Sequence, residues 1–174
     1  MSSSLCLSRV IEPSRLRTHF PEILALSKQE ANPLGFIPSG GMETAIANRR
    51  LLALVDDANG NLAGYVFFGG VFPSAKIFQI AVSPLYRRIG VGSALLELLV
   101  SHLEQFAYRS LVADIRDDLS GPLAFYHANG FTQVSTRAGG ATRRRNILTH
   151  VKELDTEDLF SVFDKRDFLA SQIH

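Results

Sequence analysis

Gln79-Ile-Ala-Val-Ser-Pro-Leu-Tyr-Arg-Arg-Ile-Gly-Val-Gly-Ser-Ala-Leu-Leu96 decides how the rest of the chain is read. A short apolar strand stops at Ser83-Pro84. Arg87 and Arg88 follow, then glycines at 90 and 92, then a helical pattern. Leu95, Leu98, Leu99, His102, Leu103 and Phe106 recur at the three-and-four spacing of one helix face, with Glu97, Ser101, Glu104 and Gln105 opposite. Such a turn offers bare backbone N–H groups at the positive end of a helix, two guanidinium groups beside them and the Ser93 hydroxyl at the helix start. A diphosphate takes several donors at once, and this combination suits it. Two other phosphate turns do not fit. The Gly-x-x-x-x-Gly-Lys-Ser/Thr loop is missing, and a dinucleotide fingerprint would need a glycine where Leu95 stands and would follow the opening strand rather than about the fourth.

Upstream, the pattern predicts a strand at 5–10, a helix at 13–27 opened by Pro13-Ser14, a turn-rich loop at 32–41, a short helix at 42–50, and strands at 51–56, 62–71 and 76–82. Asn59-Gly60 marks a hairpin between the first two of those later strands. Downstream come a strand at 110–116, a short helix at 121–129 closed by Asn129-Gly130, and strands at 131–136 and 146–154. Hairpins followed by a βαβ crossover imply an α/β fold with a mixed sheet and helices on both faces.

At 174 residues one domain is expected, over 1–154, with a tail at 155–174 whose pattern is polar and helical. Leu159, Phe160, Val162, Phe163, Phe168 and Leu169 in that tail either pack back on the domain or make a homodimer or partner contact. The 46% apolar content sustains a core, yet no run reaches the ~18 apolar residues of a membrane span. The start lacks the pattern of a secretory signal, and a single cysteine excludes an internal disulfide, so a cytoplasmic location is expected. Cys6 reads as buried filler, and no metal site is expected. A net charge of +1 argues neither way about nucleic acid.

The second informative segment is Gly121-Pro-Leu-Ala-Phe-Tyr-His-Ala-Asn-Gly-Phe131. Together with Arg87-x-x-Gly90-x-Gly92, it makes the chain resemble the GNAT superfamily of N-acetyltransferases from about residue 5 to 154. The resemblance implies a mostly antiparallel sheet of about six to seven strands, splayed between 77–82 and 111–116, and acetyl-CoA as co-substrate. Its pantetheine arm would pair with the backbone of Ile80, Ala81 and Val82, and the Val82 N–H would face the thioester oxygen. Its diphosphate would sit on Arg87, Arg88, Ile89, Gly90, Val91, Gly92 and Ser93. Tyr126 would stand near the sulfur and protonate the leaving thiolate, a phenol of pKa ~10 facing a thiol of ~8.5. The other reading of Tyr126 is a core aromatic between Phe125 and Phe131. His102 reads as a core histidine and His127 as a surface residue.

Two positions depart from the family pattern. Leu119 stands where many members carry Asn, and Gln79 stands on the central strand where many carry Glu. Gln79 is expected to face the acceptor without serving as a base. Glu43, Asp114 and Asp117 are further carboxylates, each with a structural alternative, so a water chain with no dedicated base is the expectation. Phe36 and Ile37 would line the acceptor wall. Arg137, Arg143, Arg144 and Arg145 are either a solvated hairpin tip or an attractor of an acidic partner such as RNA. The expected reaction moves an acetyl group to an amine of a small molecule, peptide or protein. The alternatives are an acyl-CoA-binding sensor without transfer, and a toxin-like transferase of aminoacyl-tRNA.

Overall fold

The computed structural model describes residues 6–30, 37–139 and 145–155. Seven strands form one sheet in the order β1-β2-β3-β4-β5-β7-β6. They are β1 (Leu7–Val10), β2 (Leu51–Asp56), β3 (Leu62–Val71), β4 (Ser74–Val82), β5 (Ser110–Arg116), β6 (Thr132–Ala138) and β7 (Asn146–Glu153). β4 and β5 run parallel and every other pair is antiparallel. That mixed, mostly antiparallel sheet matches the fold class expected from the sequence.

Helices α1 (Pro13–Thr18), α2 (Phe20–Gln29) and α3 (Ser39–Ala47) cover one face. Leu16, Ile23, Met42 and Ile46 bury there against Leu51, Ala53 and Tyr65. Helices α4 (Val91–Glu104) and α5 (Ser120–Ala128) cover the other, where Leu95, Leu99 and Leu103 meet Leu52, Val66 and Leu111. The apolar stripe read along α4 is therefore the core-facing one.

Three expectations are corrected. The helix read at 13–27 is two helices that break at His19, because Pro21 lacks the N–H an interior turn needs and so occupies the first turn of a new helix. The helix read at 42–50 begins earlier, at Ser39, and ends at Ala47. Cys6 is exposed rather than buried, and a hydrogen bond and charge from Asp57 push its thiol up, away from the reactive thiolate.

One irregularity shapes the site. β4 pairs with β5 from Ser74↔Ser110 to Ile77↔Ala113, then the two strands part. At that point Phe67 pairs with Gln79 and Phe68 with Ile77, so Phe78 is an extra residue in β4. A bulge bends and twists its strand. It also exchanges faces. Ala75 and Ile77 bury beneath α4, whereas Ala81 buries beneath α2 and Ile80 and Val82 turn toward the α4 side.

Candidate active site

Where β4 leaves β5, a cleft of about 560 Å³ opens between the turn before α4 and the start of α5. Ile80, Val82, Arg88, Gly92, Phe125 and Tyr126 are among its lining residues. The departure of β5 leaves one edge of β4 uncovered, and an extended chain needs such an edge to pair with.

The turn at the mouth of the cleft is built rigidly. A single 3₁₀ turn, Pro84–Tyr86, leads from the strand. The Tyr86 hydroxyl and the Asn59 side-chain amide both donate to Asp56 Oδ2 at 2.9 Å, and the Ala58 N–H donates to Oδ1 at 3.0 Å, which ties the turn to the β2–β3 hairpin. Arg88 and Gly90 take left-handed conformations, with φ of 63° and 90°. Glycine adopts such a φ without strain, and arginine does not. These two residues aim the chain so that α4 starts at Val91 without a side-chain cap. Ala94 makes the first backbone bond, to the Gly90 carbonyl at 3.0 Å. Among the described residues, no hydrogen-bond partner is found for the N–H groups of residues 88–93. Groups of this kind at a helix N-terminus are available to an anion, and Arg88, Gly90, Val91, Gly92 and Ser93 line the cleft.

The two arginines have different jobs. Arg87 was expected as countercharge. Its Nε instead donates to the Val82 carbonyl at 3.0 Å, and its terminal nitrogen pairs with Glu30 at 2.6 Å. It braces the end of β4 against α2. Arg88 has no ion pair among the described residues and lines the cleft. Arg88→Ala is expected to weaken coenzyme A binding about tenfold, in line with ~1.5–3 kcal/mol for a charged hydrogen bond, and to leave a pantetheine fragment without diphosphate unaffected. Calorimetry with both ligands checks this, and equal losses for the two would place Arg88 elsewhere.

Tyr126 is 7% exposed, between Phe125 and Phe131 with ring centroids 5.2 and 5.0 Å away. The ring is part of the core, as the second reading of this residue expects, and it also lines the cleft. Its hydroxyl has no protein partner among the described residues, and no buried polar side-chain atom there lacks one, so the oxygen meets the cleft. Burial pushes the phenol above its ordinary pKa. Gly92 lies under Phe125: a Cβ at this position would be 3.0 Å from the ring. His127 is exposed, and His102 is half-buried between Phe68 and Phe106.

The acceptor side departs further from expectation. Gln79 does not face the cleft. It is 1% exposed, and its carbonyl oxygen accepts from the Tyr65 hydroxyl at 2.8 Å and from Ser27 at 3.3 Å. The bulge at Phe78 is the reason, because it turns position 79 toward α2. Burial pushes Tyr65 up to about 12. Ile37 packs against the core beneath α2 and α3, and Phe36 lies outside the described residues, as do Arg143 and Arg144. Arg137 and Arg145 are engaged with Asp114 and Asp118, at 2.8 and 3.0 Å, rather than free for a polyanion.

The carboxylates considered as a base are poorly suited to the work. Burial alone would raise Asp114, but hydrogen bonds from Lys76, Arg137 and Thr149, at 2.7–2.8 Å, outweigh it and hold the carboxyl down at about 2. Glu43 and Asp117 are exposed, and Glu30 is tied to Arg87. A depressed carboxyl contributes stability above its unfolded pKa near 4 and loses it as pH falls toward the folded value. The melting temperature of the wild type is thus expected to fall between pH 4 and pH 2 more steeply than that of Asp114→Asn. Parallel curves would refute the ion cluster.

The sequence pattern of the Acetyltransferase (GNAT) family matches residues 20–131. The chain belongs to this family. GNAT relatives include the [ribosomal protein bS18]-alanine N-acetyltransferase of Escherichia coli K12, 35% identical over 79 residues, which are 45% of this chain and 53% of the relative. The chain thus matches about half the length of that protein. Among solved structures, Ard1 from Thermoplasma volcanium superposes with a TM-score of 0.72 at 16% identity over 85% of this chain and 97% of the other. N-acetylglutamate synthase from Neisseria gonorrhoeae, described as complexed with coenzyme A and N-acetyl-glutamate, gives 0.70 at 22% over 87% and 36%. At these identities the structures carry the GNAT fold alone. Among the described residues, no helix is long and apolar enough to cross a membrane, and no group of side chains is arranged to hold a metal.

Proposed function

We propose that this chain is an acetyl-CoA-dependent N-acetyltransferase whose acceptor is the α-amino group of a peptide or protein. One observation carries the reading: Arg88, Gly90, Val91, Gly92 and Ser93, whose N–H groups have no partner among the described residues, line the same cleft as Tyr126, whose hydroxyl likewise has none there. The free amides and Arg88 fit a diphosphate at one end, and the bare edge of β4 suits an extended pantetheine arm between. When bound, acetyl-CoA supplies an activated acyl group on sulfur. The N–H of Val82, a residue that lines the cleft, would be the donor to the thioester oxygen and would stabilise charge that grows there. Tyr126, protonated throughout the neutral range, donates to the sulfur as it takes on negative charge. Arg87 keeps the Val82 peptide in place through its bonds to the carbonyl and Glu30.

An attacking amine must be neutral. A lysine of pKa ~10.4 needs a strong base at pH 7, whereas an α-amine at ~7.7–8 needs little help. Asp114 at about 2 and the buried amide of Gln79 provide no such base. The relative that acts on the alanine of a ribosomal protein supports the same class. Thiol release from acetyl-CoA, measured with peptides bearing a free N-terminus, with N-blocked lysine peptides and with aminoacyl-tRNA, is expected to occur with the first set. Tight coenzyme A binding without turnover on any amine would favour the sensor reading, and turnover confined to aminoacyl-tRNA would favour the toxin-like one.

A further inference from the structure

The far end of the sheet carries a patch that the acyl-transfer reading does not use. α4 runs 14 residues from the phosphate turn, ~21 Å, so its C-terminus stands well away from the cleft. There Val71 is 83% exposed, Phe72 60% and Phe106 59%. The two rings belong to one connected array. Phe72 meets Tyr108 edge-on at 5.5 Å, and Arg50 donates to the Tyr108 hydroxyl at 3.4 Å while lying 5.7 Å over Phe68. His102 and Phe106 continue it at 5.8 and 5.2 Å. Arg49 and Arg109 are exposed at its border, with Arg49 reaching Glu12 across an open 3.5 Å pair. An exposed apolar surface with a charged rim usually has something that covers it.

The described chain ends beside this patch. β7 ends at Glu153, and the next N–H, of Leu154, donates to the Arg109 carbonyl at 2.9 Å. The Arg109 N–H in turn donates to Pro73, beside Phe72, at 2.8 Å. The polypeptide therefore leaves the described fold at the rim of the patch. Residues 156–174 follow. They carry Leu159, Phe160, Val162, Phe163, Phe168, Leu169 and Ile173, which match an apolar surface. Glu157, Asp158, Asp164 and Asp167 outnumber Lys165 and Arg166, which matches a basic border. Because the segment begins at the rim, even a few extended residues at ~3.3 Å each bring its phenylalanines onto the array.

We propose that residues 156–174 dock on their own chain over the Phe72–Tyr108–Phe106 array, their apolar side chains on the rings and their carboxylates toward Arg49 and Arg109. The inference stands apart from the acyl-transfer reading and is tested without it. A photo-crosslinking benzoylphenylalanine is placed at Phe106 of the full-length chain, and at Phe72 in a second preparation. Each is mixed with isotopically heavy chain, and the cross-linked peptides are sequenced by mass spectrometry. The expected result is a link within one chain to residues 156–174, lost when Phe160 and Phe163 are both replaced by Asp. In that double variant, amide exchange at 70–74 and 103–109 is expected to speed up at least tenfold. Links to the heavy chain would make the patch an interface between copies and overturn the proposal. So would links outside 156–174, no links, or exchange indifferent to the double substitution.

Discussion

Tyr126→Phe is expected to lower kcat by ~10²–10⁴, the range for loss of a positioned proton donor. Affinity for acetyl-CoA should change less than twofold. The asymmetry follows from the structure. The ring stays wedged between Phe125 and Phe131, and the hydroxyl has no hydrogen bond among the described residues to lose, so stability is nearly unaffected. Only an interaction made as charge appears on sulfur is removed, and such a loss falls on kcat rather than on ground-state binding. Steady-state thiol release with a coenzyme A titration separates the two. An unchanged kcat would leave Tyr126 with a purely structural role. Because burial pushes the phenol above its ordinary pKa, the basic limb of the rate profile should not report Tyr126 below pH 10.

Gly92→Val is expected to reduce coenzyme A affinity at least ~10-fold and to lower the melting temperature by several degrees. An added Cβ would meet the Phe125 ring at 3.0 Å, and the two γ-methyl groups of valine leave no room for a small adjustment. Overpacking of this kind costs ~1–3 kcal/mol, and in a domain of this size each kcal/mol shifts the midpoint by ~2–4 °C. The ring moves into the cleft and carries α5, with Tyr126, away from the phosphate turn. Gly92→Ala, which needs a shift of only a few tenths of an ångström, should show a fraction of both effects. The sequence suggested that glycine was needed here for the approach of an anion. The structure gives a nearer reason, the contact with Phe125. A Gly92→Val protein that binds coenzyme A normally would sink this account of the turn.

Much of the fold is legible in the chain. The 3.6-residue stripe of α4, the Asn59-Gly60 hairpin and the glycines of the phosphate turn each depend on local rules, and each is found where the pattern places it. The failures have a common cause. Ala75, Ile77, Gln79 and Ala81 alternate without a break in the sequence and are all buried, so nothing in that pattern reveals that the last two lie on the opposite face. The bulge at Phe78 is visible only in the pairing with Phe67 and Phe68. Likewise, Arg87 and Arg88 read as equals. Which of them is free depends on Glu30, 57 residues away.

What the sequence by itself determined is therefore the order of elements and the glycine-bearing turn that opens α4, because period, turn residues and helix polarity act over a few neighbouring positions. The tertiary structure alone decided which side chains reach the cleft. It engaged Gln79, Arg87 and Asp114 with partners and, among the described residues, gave Arg88 no ion pair and the Tyr126 hydroxyl no hydrogen bond. The physical reason is that a side chain's freedom depends on partners brought close by distant strands and helices, and no local pattern encodes their distance.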